Sequence, residues 1–137
     1  MSAFELHTQL AADTAFVTDA LLCRILLMND ANFPWLILVP RRAGLRDYHN
    51  LSADDLAVVN DEIVKTSRVL TALYKPDKIN VAALGNMVSQ LHIHVIARFT
   101  DDVAWPKPVW GVAPAEPYMP EALEARLDEL RRAIDAA

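Results

Sequence analysis

The sequence has one cysteine in 137 residues, so no internal disulfide can form, as befits a reducing compartment. That residue, Cys23, lies in LLCRILLMN, where a lone strand cysteine is more often core than nucleophile. An excess of basic charge is also missing. Thirteen Lys and Arg against eighteen Asp and Glu leave a formal net charge of −5, which argues against a general nucleic-acid surface. A small anionic ligand stays possible, because a few local donors can hold one phosphate. The longest apolar runs, such as WLILVP, fall far below the ~20 residues of a membrane span. MSAFELHTQL lacks the charged start and long apolar stretch of a signal peptide, so the expectation is a cytoplasmic protein with no membrane partner. Internal repeats, low-complexity tracts and linkers are absent too.

What is there is an ordinary globular composition, 53% hydrophobic and 23% charged, on a chain of single-domain length. CRILLMN (23–29) and WLILVP (35–40) are short aliphatic runs across the turn-like DANFP, which predicts an antiparallel strand pair. Residues 52–74 predict the main helix, with Ser52 as N-cap, Asp54 and Asp55 at its positive end, and Leu56, Val59, Ile63, Ser67 and Leu70 as the inner stripe. KINVAAL (78–84) and QLHIHVIAR (90–98) predict two more strands. TDDVAWPKPVWGVAPAEPYMP holds five of the eight prolines and predicts an extended arm draped over a surface. Pro120 then opens a last helix with Leu123, Leu127, Leu130 and Ile134 at helical spacing. The sum is an α+β fold, a mainly antiparallel sheet with one long helix on a face and a C-terminal helix.

The strand QLHIHVIAR places Gln90, His92 and His94 on one face and Leu91, Ile93 and Val95 on the other. Three polar residues in succession on one face, two of them imidazoles, admit three readings. Strand histidines are commonly structural partners of carboxylates. A metal site would need three or four ligands, and the remaining histidines, His7 and His49, have no ligand spacing, so no metal is expected. In the third reading one imidazole attacks phosphorus while its neighbour holds charge on the phosphoryl oxygens or moves a proton.

The stretch QLHIHVIAR resembles the signature of the histidine triad (HIT) family. MNDANFPWLILVPRR resembles that family's strand–turn–strand, LRDYHNLSADDL the lead into the main helix of its dinucleoside polyphosphate hydrolase branch, and NVAALGNMVSQLHIHV its strand, phosphate loop and catalytic strand. The resemblance implies that His92 is the nucleophile and that His94 is the third histidine, in contact with the phosphate. It puts Gln90 where the first histidine of the triad stands, Asn86 in the phosphate loop, and Met28, Asn29 and Asp30 at the strand end that holds ribose and base. Trp35 takes the position of a fourth active-site histidine in many members, and Met87 that of a loop hydroxyl. Gln90 is then expected to orient His92 through its backbone and to offer its side-chain amide as a neutral donor.

The resemblance implies a HIT-like domain over 1–111, with an arm and helix over 112–137 packed on the same domain. It further implies a homodimer of joined sheets and no cofactor. The activity implied is hydrolysis or transfer at the α-phosphate of a nucleotide derivative, a dinucleoside polyphosphate or nucleoside phosphoramidate, through a covalent nucleotidyl-histidine. The alternative is a nucleotide-binding protein with little or no turnover. Arg41 and Arg42 could meet distal phosphates or be solvated, Arg98 could pair or touch ligand, and Trp105 and Trp110 could cover the site or a dimer seam.

Overall fold

The computed structural model of the chain describes residues 3–137. Five antiparallel strands form one sheet: β1 (Thr14–Asp19), β2 (Cys23–Met28), β3 (Trp35–Pro40), β4 (Lys78–Ala82) and β5 (Ile93–Arg98), in the order β1-β2-β3-β5-β4. The helices are α1 (Thr8–Asp13), α2 (Ala53–Tyr74) and α3 (Pro120–Ala136), with a 3₁₀ turn over Tyr48–Asn50. This is the α+β architecture expected, with β2 and β3 antiparallel as their short connection requires.

The alternation of β3 and β5 sorts the core into two layers. Leu36, Leu38, Ile93, Val95 and Ala97 join Val59 and Leu70 of α2 and Leu130 of α3 in one buried cluster. Trp35, Ile37, Val39 and Ile96 point the other way, into a cluster closed by Leu10 of α1, Phe33, Ala104 and Val109. The second layer has no long helix over it. The short α1 and coil cover it, which leaves room for a site on that face.

Helix α2 starts where its capping residue dictates, with the Ser52 hydroxyl accepting from Asp55 N–H, and stops at Lys75 in the left-handed conformation just before Pro76. Its buried face is rotated from the expected stripe: Val59, Glu62, Thr66, Val69 and Leu70 are buried, whereas Leu56, Ile63 and Ser67 are partly exposed. The cause is a buried carboxylate. Glu62 accepts from the N–H of Leu22 and of Cys23, so the turn between β1 and β2 is tied to the helix through a residue that hydropathy assigns to solvent.

Two N-terminal elements have no counterpart in the sequence reading. Strand β1 is a short edge with an irregular register between Phe16 and Thr18, and Arg131 of α3 donates to the carbonyls of Phe16 and Val17 there. Its mixed, half-exposed pattern shows no clean alternation. Helix α1 is a single short segment capped by His7, whose Nδ1 accepts from Gln9 N–H.

The proline-rich segment is an arm, and Arg98 anchors its start. That guanidinium, 2% exposed, donates to both oxygens of Asp102, to Asn80 Oδ1 and to the Lys107 carbonyl, and lies over the rings of Phe33 and Trp105. Arg98 is therefore a structural ion pair, and Trp105 is its partner. Arg41 and Arg42 are structural as well: Arg41 caps the carbonyls of Ala20, Leu21 and Leu22, and Arg42 pairs with Asp55 at the start of α2. Cys23 is fully buried, and burial followed by the nearby Glu62 carboxylate pushes its thiol far above the ordinary range, so it behaves as core.

Candidate active site

His92 and His94 lie on the second face of the sheet, 7% and 4% exposed, with ring centroids 4.9 Å apart and planes at 69°. The strand ladder begins only at Ile93, so His92 belongs to the extended chain entering β5. Its Nδ1 lies 2.6 Å from the carbonyl oxygen of Gln90. A carbonyl can only accept, so Nδ1 carries the proton and Nε2 is left with a lone pair.

His94 is held in the opposite tautomer. The indole N–H of Trp35 donates to His94 Nδ1 at 3.0 Å. An indole N–H can only donate, so the proton of a neutral His94 is on Nε2. Burial, reinforced by the neighbouring His92, lowers the His94 pKa to about 4, which keeps this imidazole neutral at physiological pH. The pair thus presents one lone pair and one N–H donor, from rings fixed by different partners. The ring of Trp110 closes the side of the pair, 5.0 Å from His94 at 79° and 5.8 Å from Trp35 at 88°. Trp110 therefore belongs to the site and Trp105 does not.

Two cavities meet at this wall. One of about 330 Å³ is bounded by His92, His94, Asn86, Leu10 and Ile37. The other, about 440 Å³, is bounded by Asn29, Asp30, Trp35 and the arm residues Val109, Ala113 and Pro117. Asp13, Met28 and Trp110 line both, so the cavities are neighbours. Asn86 follows Gly85, whose φ of +74° lets the chain turn sharply into the cavity wall.

Met28 and Asn86 line the cavity that holds the histidines, whereas Asn29 and Asp30 line only its neighbour and also have structural work. Asn29 Oδ1 accepts from Tyr118 N–H, and Asp30 Oδ1 from the N–H of Asn32 and of Glu116. They fix the arm whose other residues complete the cavity.

Gln90 requires a correction. The resemblance predicts a side-chain amide that faces the reacting centre in place of an imidazole. Instead Nε2 donates to the Glu5 carbonyl and Oε1 accepts from His7 N–H, both at 2.8 Å. The amide behaves like a peptide group, clamping the N-terminal segment beside the catalytic strand. An amide presents a donor and an acceptor at once, which suits it to pair with two backbone groups. Only the backbone carbonyl of Gln90 serves His92.

Residues from outside the motif complete the site. Leu10 and Asp13 arrive on α1, for which local sequence gives no expectation, and Trp35, which the resemblance puts at the position of a fourth histidine, donates to His94. No signal in the chain announces that an indole will satisfy an imidazole 59 positions away.

Residues 9–101 match the HIT domain family. The chain belongs to that family. Among solved structures, a histidine triad protein from Bradyrhizobium japonicum is 44% identical over 97% of this chain and 99% of that one, with a TM-score of 0.94. One from Marinobacter aquaeolei VT8 is 43% identical over 98% of both chains, with a TM-score of 0.95. A hypothetical histidine triad nucleotide-binding protein from Sulfolobus tokodaii shares the fold at 18% identity, over 90% of this chain and 85% of that one, with a TM-score of 0.68. None of the curated proteins matches. HIT proteins generally bind or hydrolyse nucleotides, and the paired, oppositely oriented histidines are the feature of this HIT chain to which such chemistry would attach.

Proposed function

We propose that the chain is a nucleotide hydrolase or nucleotidyl transferase acting at the α-phosphate of a nucleotide derivative through a covalent nucleotidyl-His92. The observation that carries this reading is the 2.6 Å contact between His92 Nδ1 and the Gln90 carbonyl, because it leaves Nε2 with its lone pair. In the first step Nε2 forms a bond to phosphorus as the bond to the leaving group breaks, and the leaving group departs with that electron pair. His92 becomes positively charged, and the Gln90 carbonyl accepts a stronger hydrogen bond from Nδ1–H as it does so. In the second step water, or another acceptor, forms a bond to phosphorus. The N–P bond breaks and His92 returns to neutrality, its lone pair restored and the acceptor's proton released.

His94 Nε2–H is the donor to a phosphoryl oxygen. The lowered pKa of His94, about 4, suits a neutral donor that does not compete for protons with the nucleophile. Backbone N–H groups after Gly85 and the Asn86 amide would hold the other oxygens. The nucleoside fits the 440 Å³ cavity, with the second carboxylate oxygen of Asp30 as acceptor for a ribose hydroxyl. The branch that LRDYHNLSADDL resembles makes dinucleoside polyphosphates the first candidates, with nucleoside phosphoramidates next. A second reading, nucleotide binding with little turnover, draws on the occupied side chains of Gln90 and Trp35, which leave the centre with two imidazoles only.

The test is a rapid-quench incubation with a diadenosine polyphosphate, followed by mass spectrometry at a pH that preserves phosphoramidates. The expected result is one adenylate on the peptide containing His92, and loss of turnover by roughly a thousandfold or more in His92→Asn with folding unchanged. AMP at ~100 times its dissociation constant should add roughly 2.7 kcal/mol of stability. AMP binding without any adduct would favour the second reading, and no stabilisation by any common nucleoside monophosphate would remove both.

A further inference from the structure

We propose that a third cavity, on the other side of His92 from the nucleoside, is a subsite for an anionic leaving group, with Arg46 as its specificity-determining residue. This rests on the reading of His92 as the attacking group. The cavity has a volume of about 220 Å³ and is lined by Arg46, Asp47, Tyr48, His49, the Ala83–Gly85 segment and His92. Leu84, Gly85 and His92 are shared with the 330 Å³ cavity, so the space continues past the nucleophile. Nucleoside and leaving group are different substituents of one phosphorus and must run in different directions from it. With the nucleoside beside Asp30 and Trp110, the direction left open leads toward Arg46.

The charges divide the same way. The two cavities on the nucleoside side have no Lys or Arg among their lining residues, and their ionisable groups besides the histidines are Asp13 and Asp30. The third cavity contains Arg46, which is exposed and makes no ion pair among the described residues. Its wall is tied to the rest of the fold: Leu91 N–H donates to the Leu45 carbonyl at 3.0 Å, which holds the backbone next to Arg46 alongside the chain that enters His92, and the Tyr48 hydroxyl donates to Asn60 on α2. Asp47 lies in the same wall and offsets part of the Arg46 charge, so an anion there gains from a direct hydrogen bond to the guanidinium rather than from bulk charge. The ligand class is therefore a phosphate chain continuing beyond the α-phosphate.

The experiment measures binding, so it does not depend on turnover. AMP and ATP are titrated into the full chain carrying His92→Asn, without divalent metal. Because Arg46 is exposed, its contribution is bounded near one surface ion pair, so ATP is expected to bind about fivefold more tightly than AMP. Arg46→Ala should erase that gain and leave AMP affinity within about twofold, whereas Arg132→Ala, which removes the same charge from α3, should leave the gain intact. ATP binding no tighter than AMP, or the two arginine variants acting alike, would overturn the subsite while the nucleotide reading stands. Failure of both ligands to bind would overturn the subsite and the proposed function together.

Discussion

The indole of Trp35 donates its N–H to Nδ1 of His94, 3.0 Å away, and both side chains are buried. One contact sets the tautomer of an imidazole on β5 from the first residue of β3, and the strands are neighbours in the sheet. Trp35→Phe keeps an aromatic ring and removes the donor, along with a third of the ring atoms packed against Phe33 and Trp110. The expected result is a loss of roughly 1–3 kcal/mol, the cost of leaving a buried acceptor unpaired. The His94 pKa should rise from about 4, because Nδ1 is freed to take a proton. Thermal melts and an NMR titration of the His94 ring check the two parts separately.

Gln90 holds the N-terminal segment through two hydrogen bonds, to Glu5 and His7. Gln90→Ala should cost about 1 kcal/mol, because both bonds are solvent-accessible, and should speed hydrogen exchange over residues 5–10. Gln90→His, which brings the motif closer to three histidines, should lose the same clamp, since an imidazole cannot match the amide's paired donor and acceptor. Its turnover is expected at or below that of the wild type. A severalfold rise would mean that residue 90 reaches the reacting centre after all.

Acid stability should carry two separate signatures. His94 has a folded pKa of about 4 against an ordinary 6.5, so between these values the unfolded chain binds a proton that the folded chain refuses. Stability should therefore fall as pH drops from about 6.5 to about 4 and gain no further slope from His94 below that. Asp102 behaves in the other sense. Burial raises its pKa, but the bonds from Arg98 and from the N–H groups of Phe99, Ala104 and Trp105 outweigh this and hold it at about 2. Its contribution is present above its ordinary 3.8 and is lost as pH falls toward 2. Urea melts across pH 2–7 should show both losses, and Asp102→Asn should remove the lower one.

Strand β4 is an open edge of the sheet, and Val81 on it and Leu84 just beyond are each 49% exposed. An aliphatic edge of this kind invites strand pairing. A homodimer joined along β4 or α2 is the expected state at micromolar concentration, and Val81→Lys should shift it toward monomer. Light scattering on both proteins tests this, and a monomeric wild type would sink it.

Much of this was legible in local sequence. The runs CRILLMN and WLILVP, the Ser52 cap and the Pro120 start of α3 each depend on contacts within a few residues and stand in the structure where the pattern predicts, while the strand predicted over QLHIHVIAR starts only at Ile93. The two-faced division of β5 and the extended chain that enters it follows from the backbone alternation: an extended chain puts Leu91 and Ile93 on one side and His92 and His94 on the other.

What the tertiary structure decided is where polar groups find their partners. Glu62 reads as a solvent residue and is buried because two backbone N–H groups need an acceptor there. Arg98 could have faced a ligand and instead closes the arm onto the sheet. Gln90 takes the place of a catalytic side chain in the motif, yet its amide is bound to the N-terminal segment. Strand periodicity decides which face a side chain occupies, because the backbone alone enforces it. It does not decide what that side chain touches, because a hydrogen-bonding group takes whatever partner the folded chain brings within about 3 Å, here a residue up to 115 positions away.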